Sequence, residues 1–417
     1  MDKFIINGNR KLSGEVRISG AKNAALPIMT ASLLARGKTV LHNVPHLNDI
    51  KMMAHLLRVI GARIDFDGST MTIDTTHCSY FEAPYELVSK MRASIYVLGP
   101  LLARFGQARV SFPGGCAIGT RPVDLHLKAM EQLGAKINLS HGYIIAQTDR
   151  LTGNRINFAK SSVGATANAL MAAVLAEGDT LLENCAREPE ISSLAVLLQQ
   201  MGAQIKGIGT RILNIRGVKE LHPVEATIIP DRIEAGTFLV AAAITNSTIK
   251  ITNCCSEHLE SPLEKLRNIG FNFILDNDAI TINPGNIILP QNLQTTPYPG
   301  FPTDLQAQFM SLLTLAGGES RIEDTIFPDR FMHVAELNRL DADITVQGNT
   351  ALIRGVKFLS GAPVMATDLR ASAALVLAGL AAQGTTEISR IYHIDRGYER
   401  IEEKLVNLGA EIKRIQG

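Results

Sequence analysis

One cysteine of the chain, Cys116, lies in a glycine-rich stretch that reads SFPGGCAIGTRPVDLH over residues 111–126. Cysteine is more often a small residue of the core, and a flexible loop gives it no core to join. Arg121 follows five residues later, and an arginine binds a carboxylate or phosphate through two parallel hydrogen bonds. Taken alone, such a stretch is more often an ordinary surface turn, so the rest of the chain decides whether it does chemistry.

Basic residues stand where buried helices are predicted to begin. These residues are Lys22, Arg92, Lys160 and Arg370. A helix N-terminus carries free N–H groups and a partial positive charge. A cation is electrostatically unfavourable there, so its presence needs a separate explanation. Shared binding of a phosphate or carboxylate is the most economical one. The same starts carry Asn23, Ser161, Ser162, Val163, Gly164, Asp231, Thr303, Asp304 and Asp368.

Some of these polar residues have a simpler explanation, because Asp and Thr at a helix start are common caps. This alternative stands for Asp231 and Thr303.

Three arginines fall in the loops before the next helices, namely Arg121, Arg330 and Arg396. A single arginine is more often a surface residue, but several in the same phase of a repeat indicate an anion site.

Composition limits the classes of function. The chain has 417 residues, is 46% hydrophobic and 19% charged, and has a net charge of +1. This balance argues against general binding to nucleic acid or to a membrane surface. The five cysteines include no CxxC pair and no histidine at metal spacing, which indicates a reducing compartment without structural zinc. With no signal core or membrane-length apolar run, we expect a soluble cytoplasmic protein.

A short phrase recurs along the whole chain, and it sets the elements that position these residues. Its copies are VIGARIDF, QLGAKINL, QMGAQIKG, NIGFNFIL, RLDADITV and NLGAEIKR, with Asp341 in place of glycine in the fifth. The central positions are 73, 68, 68, 71 and 68 residues apart. Each copy predicts a helix that ends on a left-handed glycine, followed by a strand. A near-constant period means duplicated subdomains.

A nearly all-apolar helix recurs in phase with this phrase, so the repeated unit is helix, strand, helix, strand, strand. The last unit stops after one strand, EIKRIQG, while the strands FIING and GEVRIS at the start of the sequence belong to no unit. We therefore expect the N-terminus to complete the sixth unit. Three units each would give one domain at residues 22–229 and a discontinuous one at residues 1–21 plus 230–417. Buried helices would sit inside a ring of sheets in both.

Long strings of the sequence, in order over essentially the whole chain, resemble the UDP-N-acetylglucosamine 1-carboxyvinyltransferase family of bacterial enolpyruvyl transferases. The strings are SGAKNAALP, PGGCAIGTRPVDLH, SVGAT, REPEI, PDRIEAGTFLVAAA, FPTDLQAQF, FMHVAEL, MATDLRASAALVLAG and RIYHIDRGYERIEEKL. The resemblance implies an α/β fold of two inside-out barrel domains with three repeats each and an active site in the cleft between them. It implies transfer of enolpyruvyl from phosphoenolpyruvate to the 3-hydroxyl of UDP-N-acetylglucosamine, through a tetrahedral ketal and with release of phosphate. This reaction opens peptidoglycan synthesis and needs neither metal nor cofactor.

The same resemblance assigns roles to individual residues. Asp304 would be the base for the sugar hydroxyl, and Cys116 the thiol that protonates the methylene carbon and is attacked by fosfomycin. Phosphoenolpyruvate would contact Lys22, Asn23, Arg121, Arg330, Arg370 and Arg396. The UDP-sugar would contact Asn23, Arg92, Arg121, Pro122, Val123, Asp124, Leu125, Lys160, Ser161, Ser162, Val163, Gly164, Asp304 and Ile326. Gly114 and Gly115 would let the cysteine loop close, and a thiol with an ordinary pKa of about 8.5 is protonated at neutral pH and can act as an acid.

Two other functions stay open at this point. One is the related 3-phosphoshikimate 1-carboxyvinyltransferase reaction of the shikimate pathway, with the same donor and fold. The cysteine loop and RPVDLH favour the UDP-sugar enzyme over it. The other is a non-catalytic UDP-sugar sensor, which would bind the nucleotide without releasing phosphate. Asn48 and Lys51 depart from the family pattern and put a minor phosphate contact in doubt.

Overall fold

The computed structural model describes residues 2–89, 91–112, 123–285 and 287–416. Its contacts divide the chain into two compact units. The continuous unit is Gly20–Ile229, and the discontinuous unit joins Met1–Ser19 to Pro230–Gly417. Each has its own apolar core.

Short strands make up the outer layer of each unit. In chain order they are β1 Lys3–Asn7, β2 Ser13–Arg17, β3 Lys38–His42, β4 Arg63–Asp67, β5 Thr70–Asp74, β6 Glu82–Ala83, β7 Gln107–Ser111, β8 Lys136–Ser140, β9 Tyr143–Gln147, β10 Arg155–Asn157, β11 Asp179–Glu183, β12 Gln204–Lys206, β13 Ile212–Arg216, β14 Glu225–Thr227, β15 Thr248–Thr252, β16 Asn272–Leu275, β17 Ala279–Asn283, β18 Leu293–Thr295, β19 Glu319–Asp324, β20 Asp343–Gln347, β21 Thr350–Arg354, β22 Pro363–Met365, β23 Thr385–Ser389 and β24 Glu411–Ile415.

The helices alternate with these strands. They are α1 Lys22–Ala31, α2 Asn48–Ile60, α3 Tyr85–Val88, α4 Leu98–Phe105, α5 Asp124–Gln132, α6 Val163–Ala173, α7 Pro189–Gln200, α8 Arg232–Ile244, α9 Glu260–Ile269, α10 Gln306–Leu313, α11 His333–Asn338, α12 Leu369–Ala381 and α13 Ile401–Asn407. Stretches of 3₁₀ helix occupy Ser32–Leu34, Arg92–Val97, Ser256–Leu259, Thr303–Leu305 and Ile391–Arg396.

The described strands form six four-stranded sheets with one shared topology. A leading strand pairs parallel to a second strand, the second pairs antiparallel to a third, and the third pairs antiparallel to a fourth. The orders are β14-β3-β5-β4, β6-β7-β9-β8 and β10-β11-β13-β12 in the continuous unit, and β2-β15-β17-β16, β18-β19-β21-β20 and β22-β23-β1-β24 in the discontinuous one. Five of these six leading strands have only two or three residues, which give no alternating pattern, so the sequence-based unit lacks a leading strand.

The N-terminal strands complete two different sheets. β1 lies between β23 and β24 in the sixth sheet and is antiparallel to both, so the prediction for FIING is confirmed. β2 instead pairs parallel to β15 in the fourth sheet, so the prediction for GEVRIS is wrong. The fourth sheet needs a leading strand like every other sheet, because its second strand would otherwise be an unpaired edge.

The recurring phrase has the predicted backbone. Its central residue is left-handed in every copy, with φ of 107° at Gly61, 94° at Gly134, 109° at Gly202, 119° at Gly270, 65° at Asp341 and 95° at Gly409. Aspartate tolerates this region better than most residues with a side chain. The prediction is therefore confirmed, and Asp341 keeps the turn without glycine.

The apolar helices lie inside and the sheets outside, which gives the α/β class of inside-out barrels. In the discontinuous unit α8, α10 and α12 pack on one another, and every residue of α8 after Arg232 is buried. The apolar segment at 91–106 departs from the prediction, because it begins as 3₁₀ helix at Arg92 and becomes α4 only at Leu98. Pro100 has no N–H to donate to the carbonyl of Tyr96, so one continuous α-helix would lose a hydrogen bond there.

Candidate functional site

Asp304 in the discontinuous unit is held between two arginines. It lies in the 3₁₀ turn Thr303–Leu305 that leads into α10. Arg330 Nη1 donates to its Oδ1 at 2.8 Å, and Arg370 Nη2 donates to its Oδ2 at 2.9 Å. The arginine side chains are 5% and 4% exposed, whereas the aspartate side chain is 28% exposed. The structure thus brings together three predicted site residues, with the carboxylate partly open to solvent.

This arrangement sets the charge of the cluster. Burial alone would raise the pKa of Asp304, but Arg370 and then Arg330 outweigh it and hold the pKa well below its usual range. Burial would likewise lower the pKa of Arg370, and the Asp304 carboxylate reverses that effect. Within the described residues the buried Nη1 of Arg370 has no hydrogen-bond partner. The three side chains of the cluster therefore carry a net positive charge, and one guanidinium nitrogen, Nη1 of Arg370, lacks a hydrogen-bond partner among the described residues.

Asp324 supports this cluster through hydrogen bonds to neighbouring residues. The sequence analysis did not predict this role. It ends β19, is fully buried, and accepts hydrogen bonds from Thr295 Oγ1 at 2.8 Å and from Thr303 Oγ1 at 2.7 Å. The N–H of Ile326 donates to it at 3.0 Å, and Thr303 Oγ1 accepts from Arg330 Nη1 at 3.1 Å. Asp324 thus fixes both Arg330 and the turn of Ile326. An aspartate after a strand is too common a signal to single it out.

The polar residues at helix starts differ in what they do. Asp231 caps α8 by accepting from the N–H groups of Ile233 at 2.8 Å and Glu234 at 3.1 Å. Asp368 caps α12 in the same way. The cap explanation is therefore right for Asp231 and wrong for Thr303, whose hydroxyl bonds Asp324 instead of a helix N–H.

Arg396 ends the 3₁₀ helix Ile391–Arg396 and is half-buried. Its charge acts on His393, whose pKa is lowered first by burial and also by Arg396. Arg414 holds the preceding residue, because its Nη1 and Nη2 donate to the two oxygens of Asp395 at 3.0 and 2.6 Å. This two-pronged pair fixes the turn that presents Arg396.

Lys22 in the continuous unit is the first residue of α1, and its cation is balanced inside the protein. Its Nζ lies 3.0 Å from Oδ2 of Asp49 in α2, and both residues are buried. Asn23 follows it and is half-buried. A helix-start cation is thus compensated by a carboxylate, a partner that the sequence reasoning did not consider.

Several other predicted site residues of the continuous unit lie near His126. Burial, aided by the charge of Arg92, lowers the pKa of His126 to about 4, and Asp124 opposes the shift. A Cβ added at Gly164 would lie 3.0 Å from the His126 ring. The remaining predicted residues lie along the same two helix starts: Val123 and Leu125 are buried, Ser161 and Val163 are half-buried, Lys160 is exposed, and Ser162 caps α6 by accepting from the N–H of Ala165 at 3.3 Å.

A surface depression of about 410 Å³ borders this group. Its walls come from α5, with Leu125 and Lys128, and from β10 and the residues after it, with Ile156 and Phe158. Ala159 also lines it and precedes Lys160. The depression therefore adjoins two of the predicted UDP-sugar residues.

Cys116, Arg121 and Pro122 lie outside the described residues. The other four cysteines are free thiols, of which Cys78, Cys185 and Cys254 are buried and Cys255 is half-buried. Burial raises the pKa of Cys185 to about 12 and that of Cys254 to about 11.

Across the described ranges, no group of three or more His, Cys, Asp or Glu side chains could hold a metal ion. None of the helices in those ranges is both long enough and apolar enough to cross a membrane.

Acid is expected to destabilise the fold through its buried histidines. The pKa of His126 and of His333 is about 4, chiefly because burial disfavours the charged ring. An unfolded histidine has a pKa near 6.5, so the unfolded state binds protons first, and stability falls as pH drops from about 6.5 to about 4. A shift of this size corresponds to ~3 kcal/mol for a single ring.

Urea unfolding at pH 7 and pH 4.5 measures this loss. His126→Gln, which has no titrating ring, should show a smaller loss than the wild type. Equal losses in the two proteins would contradict the assignment to His126.

Comparisons with known proteins identify the family of the chain. A family model described as EPSP synthase (3-phosphoshikimate 1-carboxyvinyltransferase) matches residues 6–405. The UDP-N-acetylglucosamine 1-carboxyvinyltransferase of Geotalea uraniireducens is 57% identical over 416 residues, covering 100% of both chains. That of Chloroherpeton thalassium is 57% identical over 417 residues, covering 99% of this chain and 97% of the relative.

Solved structures show the same fold. The enolpyruvyl transferase NikO from Streptomyces tendae has a TM-score of 0.90 at 27% identity and covers 100% of this chain and 99% of its own. EPSP synthase from Acinetobacter baumannii has a TM-score of 0.79 at 19% identity over 100% of both chains and supports the fold alone. The chain belongs to the enolpyruvyl transferase family, and within it to the UDP-N-acetylglucosamine 1-carboxyvinyltransferases.

Proposed function

We propose that the protein transfers the enolpyruvyl group of phosphoenolpyruvate to the 3-hydroxyl of UDP-N-acetylglucosamine and releases phosphate, as the first committed step of peptidoglycan synthesis in the cytoplasm. The full-length 57% identity to enzymes named for this reaction carries the proposal. The 3-phosphoshikimate reaction is the alternative, and its only support is the description of the broader family model.

The Asp304 cluster supplies the base in this proposal. A carboxylate paired with two arginines is a weak base, because its negative charge is already stabilised. Phosphoenolpyruvate carries a carboxylate and a phosphate, and both compete with Asp304 for Arg330 and Arg370. Each guanidinium that turns to the donor raises the pKa of Asp304. Donor binding would thus prepare the base that takes the sugar hydroxyl proton.

The remaining steps follow from the deprotonated hydroxyl. Its oxygen adds to C2 of phosphoenolpyruvate while Cys116 gives a proton to C3, and a tetrahedral ketal phosphate forms. Loss of a C3 proton and of phosphate then yields the enolpyruvyl ether. Lys22, Arg121, Arg330, Arg370 and Arg396 would stabilise the negative charge of the phosphate throughout.

The UDP-sugar would be held mainly by the continuous unit. Its proposed ligands are the residues at the starts of α5 and α6, together with Arg92. In the discontinuous unit, Asp304 and Ile326 would contribute. The support for this assignment is the grouping of Arg92, Asp124 and Gly164 around His126 and two hydrogen bonds that Asp324 accepts, one from Thr303, which precedes Asp304, and one from Ile326.

A phosphate-release assay with phosphoenolpyruvate tests the function. Phosphate should appear with UDP-N-acetylglucosamine and not with 3-phosphoshikimate as acceptor. Release only with 3-phosphoshikimate would replace the proposal by its alternative. Tight binding of the UDP-sugar with no release under any condition would indicate a sensor.

Arg396→Ala is expected to weaken the donor site selectively. It removes one charged hydrogen-bond partner, which costs roughly 1.5–3 kcal/mol or about 10- to 100-fold in affinity. The KM for phosphoenolpyruvate should rise accordingly, while the calorimetric Kd for UDP-N-acetylglucosamine alone should stay near the wild-type value. Arg400→Ala, which changes an exposed arginine four residues away, is the matched control. A large loss of UDP-sugar affinity in Arg396→Ala would refute the assignment.

A further inference from the structure

Asn168 is a fully buried amide in the middle of the apolar helix α6. Its Oδ1 accepts from the N–H of Gly99 at 2.9 Å, and its Nδ2 donates to the carbonyl of Ile95 at 2.8 Å. A backbone N–H can only donate and a carbonyl can only accept. These two bonds therefore fix which end of the amide is oxygen and which is nitrogen.

The orientation of the amide decides the protonation of its third partner. Nδ2 of Asn168 lies 2.9 Å from Nδ1 of His126. Because Nδ2 carries only hydrogens to give, Nδ1 must accept through its lone pair. The neutral ring then carries its proton on Nε2. Burial keeps the ring neutral, with a pKa of about 4.

The Nε2 edge of His126 faces the start of α6. A Cβ added at Gly164 would lie 3.0 Å from both Cε1 and Nε2. The ring is 6% exposed, and among the residues that the structure describes its one hydrogen bond is the bond to Asn168. An N–H donor on a largely buried side chain thus faces the segment 160–164.

Asn168 also joins the elements that carry the proposed UDP-sugar ligands. It belongs to α6, whose start follows Lys160. It contacts His126 in α5, the helix that begins at Asp124. It contacts Ile95 in the 3₁₀ helix that begins at Arg92. One amide therefore contacts all three segments inside the core.

We propose that Asn168 is a positioning residue of the UDP-sugar site. By keeping the proton on Nε2, it makes His126 a donor to an acceptor oxygen of the sugar nucleotide bound along residues 160–164. It also holds the turn after Arg92 at the same point. This inference rests on the proposed function, and the alternative is a purely structural amide that only stabilises the fold.

The first measurement is the tautomer of His126 in the wild-type protein. Spectra of ¹⁵N-labelled histidine at pH 7 should show His126 neutral and protonated on Nε2, with its signal identified by its loss in His126→Gln. Saturating UDP-N-acetylglucosamine should shift this signal, and phosphoenolpyruvate alone should leave it in place. A proton on Nδ1, or no shift when the UDP-sugar is bound, would overturn the proposal.

The second measurement uses Asn168→Asp. A carboxylate has no N–H to give, so Nδ1 must take the proton to keep the contact, and Nε2 becomes an acceptor. The Kd for UDP-N-acetylglucosamine should rise about tenfold, the size expected for one misdirected hydrogen bond. The KM for phosphoenolpyruvate should change by less than about twofold, because His126 makes no proposed contact with this substrate.

Ser311→Ala is the matched control. Ser311 is a fully buried helix residue of the discontinuous unit whose hydroxyl donates to the carbonyl of Ala374 at 2.9 Å. Its loss should lower the melting temperature and leave the UDP-sugar affinity unchanged. A folded Asn168→Asp with a switched tautomer and wild-type affinity would leave Asn168 a structural residue. If the wild type fails to bind the UDP-sugar at all, the proposed function fails, while the tautomer result stands by itself.

Discussion

Asp304→Asn is expected to keep the fold and to lower turnover by about 10²–10⁴-fold, the usual loss for one general base. The amide has nearly the same shape and can still accept from Arg330, which donates to Oδ1 at 2.8 Å in the wild type. It cannot take a proton from the sugar hydroxyl. It also removes the negative charge that Arg330 and Arg370 share, so these cations become more available to phosphoenolpyruvate. The KM for phosphoenolpyruvate should therefore stay the same or decrease, while kcat decreases strongly.

Steady-state kinetics with both substrates, together with a melting curve, measures this outcome. Asp343→Asn is a suitable control, because Asp343 is an exposed aspartate of β20 that lies 3.5 Å from Arg354. It should leave both kcat and stability unchanged. Turnover within a few-fold of the wild type in folded Asp304→Asn would remove Asp304 from the role of base. Because Arg330 and Arg370 are 5% and 4% exposed, loss of the carboxylate charge between them should also lower the melting temperature, so kcat is compared at a temperature at which both proteins are folded.

Cys116→Ser is expected to abolish nearly all turnover, because a hydroxyl is a far weaker acid than a thiol. Cys116→Asp should retain activity that increases toward lower pH, where a carboxyl with an ordinary pKa near 3.9 is more often protonated. Nucleophilicity belongs to the sulfur alone. Fosfomycin should therefore modify the wild type and spare Cys116→Asp, and UDP-N-acetylglucosamine should speed the labelling.

The other cysteines make this experiment selective. Burial raises the pKa of Cys78, Cys185 and Cys254, so these thiols are poor nucleophiles at neutral pH. Cys255 is half-buried, and Cys255→Ser serves as the control with full activity and full labelling. Mass spectrometry of the treated protein identifies the modified residue. Modification at any cysteine other than Cys116, or full activity of Cys116→Ser, would contradict the role of the loop.

The sequence predicted the repeated architecture because its signals are local and strong. A left-handed residue after each helix and a long apolar segment in every unit were enough to define six copies. The short leading strands escaped prediction, since Glu82–Ala83 has too few residues for a pattern. The pairing of β2 with β15 escaped as well, because partner choice depends on which sheet has a free edge.

The candidate site was predictable for residues that carry charge at a helix start, and less so for their supports. Arg330, Arg370 and Asp304 meet as one cluster, although they were assigned on different grounds. Asp49, Asp324 and Asn168 support the proposed site from within the units. Their roles depend on contacts between segments distant in sequence. A buried polar residue in an apolar helix, such as Asn168 in TANALMAA, was the one local signal available.

The place of β1 between β23 and β24 determines when the discontinuous unit can form during synthesis. Lys3 pairs with Glu387, 384 positions later, and β1 has both of its partners in the last sheet of the chain. The continuous unit, Gly20–Ile229, is complete long before those partners leave the ribosome. Because chains emerge N-terminus first and distant contacts form late, β1 stays unpaired through most of translation. β1 is thus synthesised long before both of its partner strands, and it can enter its sheet only after the continuous unit is complete.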